Sequence, residues 1–209
     1  MSINLQKGQK IDLKKSNPGL NNIMVGLGWD AAPTSGGGFL KSLLGGGNSN
    51  IDCDASVFML NEQGKLDGVN NLIYFGNLRD RCNSVIHTGD NLTGDGDGDD
   101  EQILVNLDKV PSNISKLLFV VNIYNCVQRK QHFGMIKNAF IRVVDNNNGK
   151  EIAKYNLTDD YSEKTALIVG TIYRYNDTWK FSAIGEGTRD TGLKDIMTNL
   201  AQIECAYGV

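Results

Sequence analysis

The stretch from Asp90 to Glu101, DNLTGDGDGDDE, sets the strictest condition on any fold this chain can adopt. It holds six of the chain's 24 acidic residues (Asp90, Asp95, Asp97, Asp99, Asp100 and Glu101) and no Lys or Arg. Two unit charges about 4 Å apart repel by on the order of 1 kcal/mol in water and by several near a protein surface. A fold that keeps this loop compact calls for a cation beside it. Gly94, Gly96 and Gly98 alternate with the acids, and glycine lets the backbone turn through positive φ and aim carbonyl oxygens inward. Hard oxygens in irregular number suit Ca2+, which accepts roughly six to eight of them, better than octahedral Mg2+. A solvated acidic loop without a ligand is the plain alternative.

The EF-hand pattern D-x-[DN]-x-[DN]-G-x5-E does not fit. Counted from Asp95, position six is Asp100 where glycine is required, and position twelve is Asn106. Counted from Asp90, Glu101 falls at twelve, but Leu92 and Gly94 spoil positions three and five. The flanks also read as strands rather than helices. The loop is of a calcium type, but not an EF-hand.

At 209 residues and 40% hydrophobic content, with a net charge of −3, the chain suits one globular domain. Its positive charges are dispersed, which excludes a nucleic-acid footprint. The beginning, MSINLQKGQKIDL, lacks the basic head and apolar run of a signal peptide. No stretch reaches the roughly 20 apolar residues of a membrane span. Cys53, Cys82, Cys126 and Cys205 form no CxxC pair and read as free thiols, with nothing spaced for zinc.

Strand signals dominate the chain. Ile3, Leu5, Ile11 and Leu13 alternate in short pieces broken at Gly8, and Ile23 to Trp29 reads as a strand ending at Asp30. The segment from about 33 to 50 (PTSGGGFLKSLLGGGNSN) is a glycine-rich loop insertion around the apolar Phe39 to Leu44. It is not a P-loop, because Leu40 rather than glycine precedes Lys41. Asp52 to Leu60 is a strand apolar on both faces beyond Ser56, with Asp52 and Asp54 on the same side about 7 Å apart. Leu72 to Phe75, Val85 to Thr88, Gln102 to Leu107 and Lys116 to Tyr124 follow as strands. His87 reads as a hydrogen-bonded structural histidine. Cys126 to Phe133 is a connecting segment with a small basic knot of Arg129, Lys130 and His132. Two hairpins follow, one through Asp145 to Gly149 and one through Asn176-Asp177. A final helix capped by Asp190 or Thr191 runs to about Gln202, with Leu193, Ile196, Met197 and Leu200 on one face.

Roughly ten short strands with turn signals every 8–12 residues predict an all-β fold, an antiparallel β-sandwich with a short C-terminal helix. A sandwich gathers its loops at two ends, so Asp30, Asp52, Asp54 and the acidic loop can meet at one of them.

GLGWD at Gly26 to Asp30, DCDAS at Asp52 to Ser56, HTGDNLTGDGDGDDE at His87 to Glu101 and FGMIKNAFIRVVD at Phe133 to Asp145 together resemble the TerD family of tellurite-resistance and general stress proteins. The match runs over nearly the whole chain, in order. The resemblance implies a cytoplasmic bacterial β-sandwich without enzymatic activity that binds Ca2+, typically two ions. It also implies partners among other stress-operon or membrane-associated proteins. The family's metal site would fall on Asp30, Asp52, Asp54, Asp95, Asp97, Asp99, Asp100 and Glu101. The insertion at Thr34 to Asn50 is longer here than in the simplest members.

Three readings follow: a Ca2+-dependent sensor or adaptor, a scaffold in which calcium is purely structural, and a metal-dependent hydrolase. The last lacks a general base beside the acids, since the chain has only His87 and His132 and no G-x-S-x-G motif. Direct binding of tellurite oxyanions by so acidic a loop is opposed by charge; a thiol such as Cys53 is the better site for tellurium.

Overall fold

The computed structural model describes residues 2–15, 17–31, 51–89 and 98–207. The insertion at 33–50 and the loop acids Asp90, Asp95 and Asp97 lie outside them.

Two six-stranded sheets face one another. The first runs β1 (Ile3–Leu5), β10 (Lys150–Asn156), β9 (Ile136–Asp145), β3 (Asn22–Ala31), β7 (Glu101–Asn106), β6 (Val85–His87). The second runs β2 (Lys10–Asp12), β12 (Thr178–Thr188), β11 (Ala166–Tyr175), β8 (Lys116–Ile123), β4 (Cys53–Leu60), β5 (Leu72–Ile73). Pairing is antiparallel except between β1 and β10. The predicted sandwich is therefore the observed fold, with a parallel edge that alternation alone does not predict.

Alternation builds the core. Ile23, Val25 and Leu27 of β3, Ile103 and Val105 of β7, and Ile141 and Val143 of β9 meet Cys53, Ala55 and Val57 of β4, and Phe119 and Val121 of β8, between the sheets. The opposite face of the second sheet, with Phe58, Leu60, Leu118, Val120 and Ile168, packs under the C-terminal helix. This is why β4 and β8 carry near-continuous apolar runs: both of their faces are buried.

Two short elements differ from expectation. The strand predicted over Leu72 to Phe75 is a strand only at Leu72–Ile73; Tyr74 then bridges Asn77 around a tight turn at Phe75 and Gly76. The connector after Tyr124 contains a one-turn helix, α1 (Cys126–Arg129), flanked by left-handed residues Asn125 (φ 52) and Lys130 (φ 53). The C-terminal helix, α2 (Leu193–Tyr207), is longer than predicted. Its buried face is Ile196, Leu200 and Ile203, with Leu193 partly covered. Met197 is 37% exposed, because the stripe that meets the sheet advances to Ile203 rather than back to Met197. The start is held by Asp195, whose carboxylate accepts from the Thr191 amide (2.9 Å) and hydroxyl (2.6 Å).

Candidate functional site

Glu101 is the first residue of β7 and shares the inward face with Ile103 and Val105. Its carboxylate is 1% exposed and accepts a hydrogen bond from the backbone N–H of Ala55 at 2.5 Å. A residue closing the acidic loop on the first sheet thus grips β4 on the second, between Asp54 and Ser56. His87 of β6 lies beside it, with Nε2 3.4 Å from Glu101 Oε2 and Nδ1 accepting from the Gly89 N–H at 3.1 Å. The histidine is 2% exposed, as a structural histidine would be.

Asp52 and Asp54 are buried, 8% and 4% exposed. Asp54 lies on the outer face of the second sheet, because Cys53 and Ala55 on either side of it point into the inter-sheet core. Asp52 Oδ2 is 3.5 Å from a guanidinium nitrogen of Arg129 in α1. That guanidinium also stands over the Tyr124 ring, 5.6 Å from its centroid.

The rest of the acidic segment is fastened to β3. The Asp100 N–H bonds the Leu27 carbonyl at 2.8 Å, and its carboxylate accepts from the Trp29 N–H at 2.7 Å. Asp99 lies over Gly26, where a Cβ would collide with its carboxylate. Gly28 likewise leaves room for the Gly98 carbonyl and the Phe140 ring. Arg142, directly across from Gly26 on β9, takes both Asp99 oxygens, at 2.7 and 2.9 Å. The glycines of GLGWD therefore clear a seat for the loop, and Arg142 locks it. Asp30, exposed at the far end of β3, accepts from Asn138 Nδ2 at 2.7 Å. It lines an open cleft of about 740 Å3 with Trp29, Gly98, Lys137 and Asn138. A second cleft of about 730 Å3, between α2 and the turn at 62–69, has no part in this end.

The crowding acts on the titrating groups. Burial, and then Asp54, Glu101, Asp52 and Asp100, push the Cys53 thiol well above its ordinary range. Burial also raises Asp100; the Trp29 hydrogen bond opposes this, while Asp30, Asp99 and Glu101 add to it.

Of the sequence-derived site residues, Asp52, Asp54, Asp100 and Glu101 gather around Cys53, and Asp30 joins through Asp100. Asp99 is brought in as an ion-pair partner of Arg142. Among the described residues, no group of three or more His, Cys, Asp or Glu side chains is poised to hold a metal ion. All four cysteines are unbridged, and no described helix is long and apolar enough to cross a membrane. Sequence reasoning missed Arg142 and Arg129 as partners of the acids. Two glycines two apart inside a strand were the available signal for the close approach.

The TerD domain family matches residues 1–200. Stress response protein SCP2 of Bacillus subtilis (strain 168) is 65% identical over 198 residues, covering 95% of this chain and 98% of that protein. Tellurium resistance protein TerD of Serratia marcescens is 46% identical over 187 residues, covering 90% and 91%. A solved Streptomyces coelicolor A3(2) protein described as a homologue of telluride resistance protein (TerD) shares the fold. It aligns with a TM-score of 0.62 and 19% identity, over 88% of this chain and 98% of that one. The chain belongs to the TerD domain family of tellurium-resistance and general stress-response proteins.

Proposed function

We propose that this chain is a cytoplasmic, non-enzymatic stress-response protein that binds calcium at the acidic end and acts as a Ca2+-dependent sensor or adaptor. The observation that carries the reading is the Glu101 to Ala55 hydrogen bond. It brings the loop-closing acid into the same buried neighbourhood as Asp52 and Asp54. The donor set is all hard oxygen, which suits Ca2+ with its flexible coordination. Asp52, Asp54 and Asp100 would hold an ion, with Asp30 at the rim. Asp95 and Asp97 would join from the loop outside the described residues, and Glu101 would fix the frame between the sheets. Asp99, held by Arg142, seats the loop.

Bound calcium would add positive charge beside that of Arg129 and Arg142, taking the net charge from −3 to +1 with two ions. The chain's own work is to keep the carboxylates close and partly dehydrated, so that an ion changes the sign of the surface a partner meets. Other stress-operon or membrane-associated proteins are the partners this reading implies.

Calcium that binds only the folded state stabilises by RT ln(1 + [Ca2+]/Kd), about 2.7 kcal/mol at a hundredfold excess over Kd. Melting temperature should rise with added Ca2+ and fall with chelator; identical melts in both would sink the reading. The burial of Asp52, Asp54 and Glu101 favours a second reading, in which calcium only clamps the strand ends. Partner capture that is the same with calcium and with chelator would select it.

A further inference from the structure

β4 and β8 pair without a register break from Cys53 to Leu60. Asn122 stands directly opposite Asp54. On β8, Val121 and Ile123 point into the inter-sheet core while Leu118 and Val120 face α2. Asn122 therefore lies on the same outer face as Asp54, and so does Ser56, two residues along β4. Ser56 is 0% and Asn122 5% exposed. The Oδ1 of Asn122 and the Oγ of Ser56 are both buried, and neither has a hydrogen-bond partner among the described residues. Leaving a buried polar group without a partner costs about 1–3 kcal/mol, and folded proteins keep few such groups. Two of them, flanking one buried carboxylate on one strand pair, are oxygens left over for something.

We infer that Asn122 Oδ1 is a neutral ligand of the cation that Asp54 holds, and that Ser56 Oγ supplies a second neutral oxygen. The inference rests on the calcium reading above and names ligands that a count of acids does not reveal. An amide carbonyl and a hydroxyl fill a calcium shell without adding to the repulsion among Asp52, Asp54 and Asp100. They also tune affinity, which in calcium sites follows the number of charged ligands.

The test is titration of the full chain with Ca2+ by calorimetry, and with Tb3+ by luminescence lifetimes in H2O and D2O, which count the waters on the ion. Asn122→Ala should weaken Ca2+ binding by roughly tenfold and add about one water to bound Tb3+. Asn122→Asp, which restores an oxygen with a charge, should bind more tightly than the native chain. Ser56→Ala should weaken binding less than Asn122→Ala does. If Asn122→Ala is folded and binds both ions like the native chain, while Asp54→Asn loses them, the two oxygens hold water only and the inference fails. If Asn122→Ala does not fold, an Asn122→Asp chain with native affinity overturns it equally. A native chain that takes up no Ca2+ brings down the calcium reading itself, and this inference with it.

Discussion

The carboxylate of Glu101 and the amide of Ala55, 46 positions apart in sequence, meet at 2.5 Å with Glu101 almost wholly buried. The bond crosses from one sheet to the other at the end where the acids gather. Glu101→Ala leaves the Ala55 N–H without this acceptor and opens a void beside His87. The expected loss is about 2–4 kcal/mol of stability, read by urea unfolding. Glu101→Gln keeps a carbonyl acceptor and should lose about 1 kcal/mol. A Glu101→Ala chain that unfolds at the native midpoint would show that the clamp holds nothing.

The seat of Asp99 makes a second prediction. A methyl group at Gly26 occupies the space of the Asp99 carboxylate, so Gly26→Ala must push the loop off β3 and break the fork with Arg142. Arg142→Leu reaches the same end from the other side, leaving an Asp99 side chain of 0% exposure without its charge partner and with the Gln102 amide at 3.2 Å. Each should destabilise by about 1–3 kcal/mol. The double variant should lose less than the two together, since both act through one contact. Strict additivity in a double-mutant cycle would separate the glycine from the ion pair.

Much of this was legible in the chain because burial writes itself into pattern. β4 and β8 are buried on both faces and read as continuous apolar runs, and Asn176 and Gly149 turn their hairpins at positive φ as the turn signals required. What escaped depends on partners distant in sequence. Arg142 in FIRVVD and Arg129 in CVQR carry no local mark of the carboxylates they meet. α1 is one turn long, below the length at which helical periodicity can be seen. Asn122 did leave a mark: one amide inside KLLFVVNIY, the strongest apolar strand, is a buried polar group that needs a reason.

Acid sensitivity should trace in part to Asp12 at the end of β2. Burial works to raise its carboxyl. The Lys15 amide (2.8 Å), the Thr178 hydroxyl (2.9 Å), the Lys14 amide (3.1 Å) and the field of Lys180 outweigh burial, so it sits below its ordinary value. A carboxylate depressed in the fold contributes stability above its unfolded pKa, near 3.9. That contribution is lost as pH falls from there through the folded value. Asp12→Asn should therefore be less stable than the native chain at neutral pH and converge with it in acid. The gap should stay below about 1 kcal/mol because the site is partly exposed. Urea melts from about pH 6 down to about pH 2 would show the convergence; a constant gap across that range contradicts it.

Arg129 supplies the last test, because its guanidinium already occupies one side of Asp52 at 3.5 Å and rests on Tyr124. In the calcium reading an incoming ion competes with that internal cation for the same carboxylate. Removing it with Arg129→Gln should tighten Ca2+ binding several-fold, a modest gain because the Arg129 side chain is 38% exposed and such pairs are worth at most about 1 kcal/mol. The gain should shrink as salt rises, since screening at about 1 M shortens the Debye length to about 3 Å. The same variant, free of calcium, should melt at or slightly below the native temperature, so that stability and affinity move in opposite directions. Weaker calcium binding in Arg129→Gln would mean that the arginine organises Asp52 for the ion rather than competing with it, and would reverse this assignment.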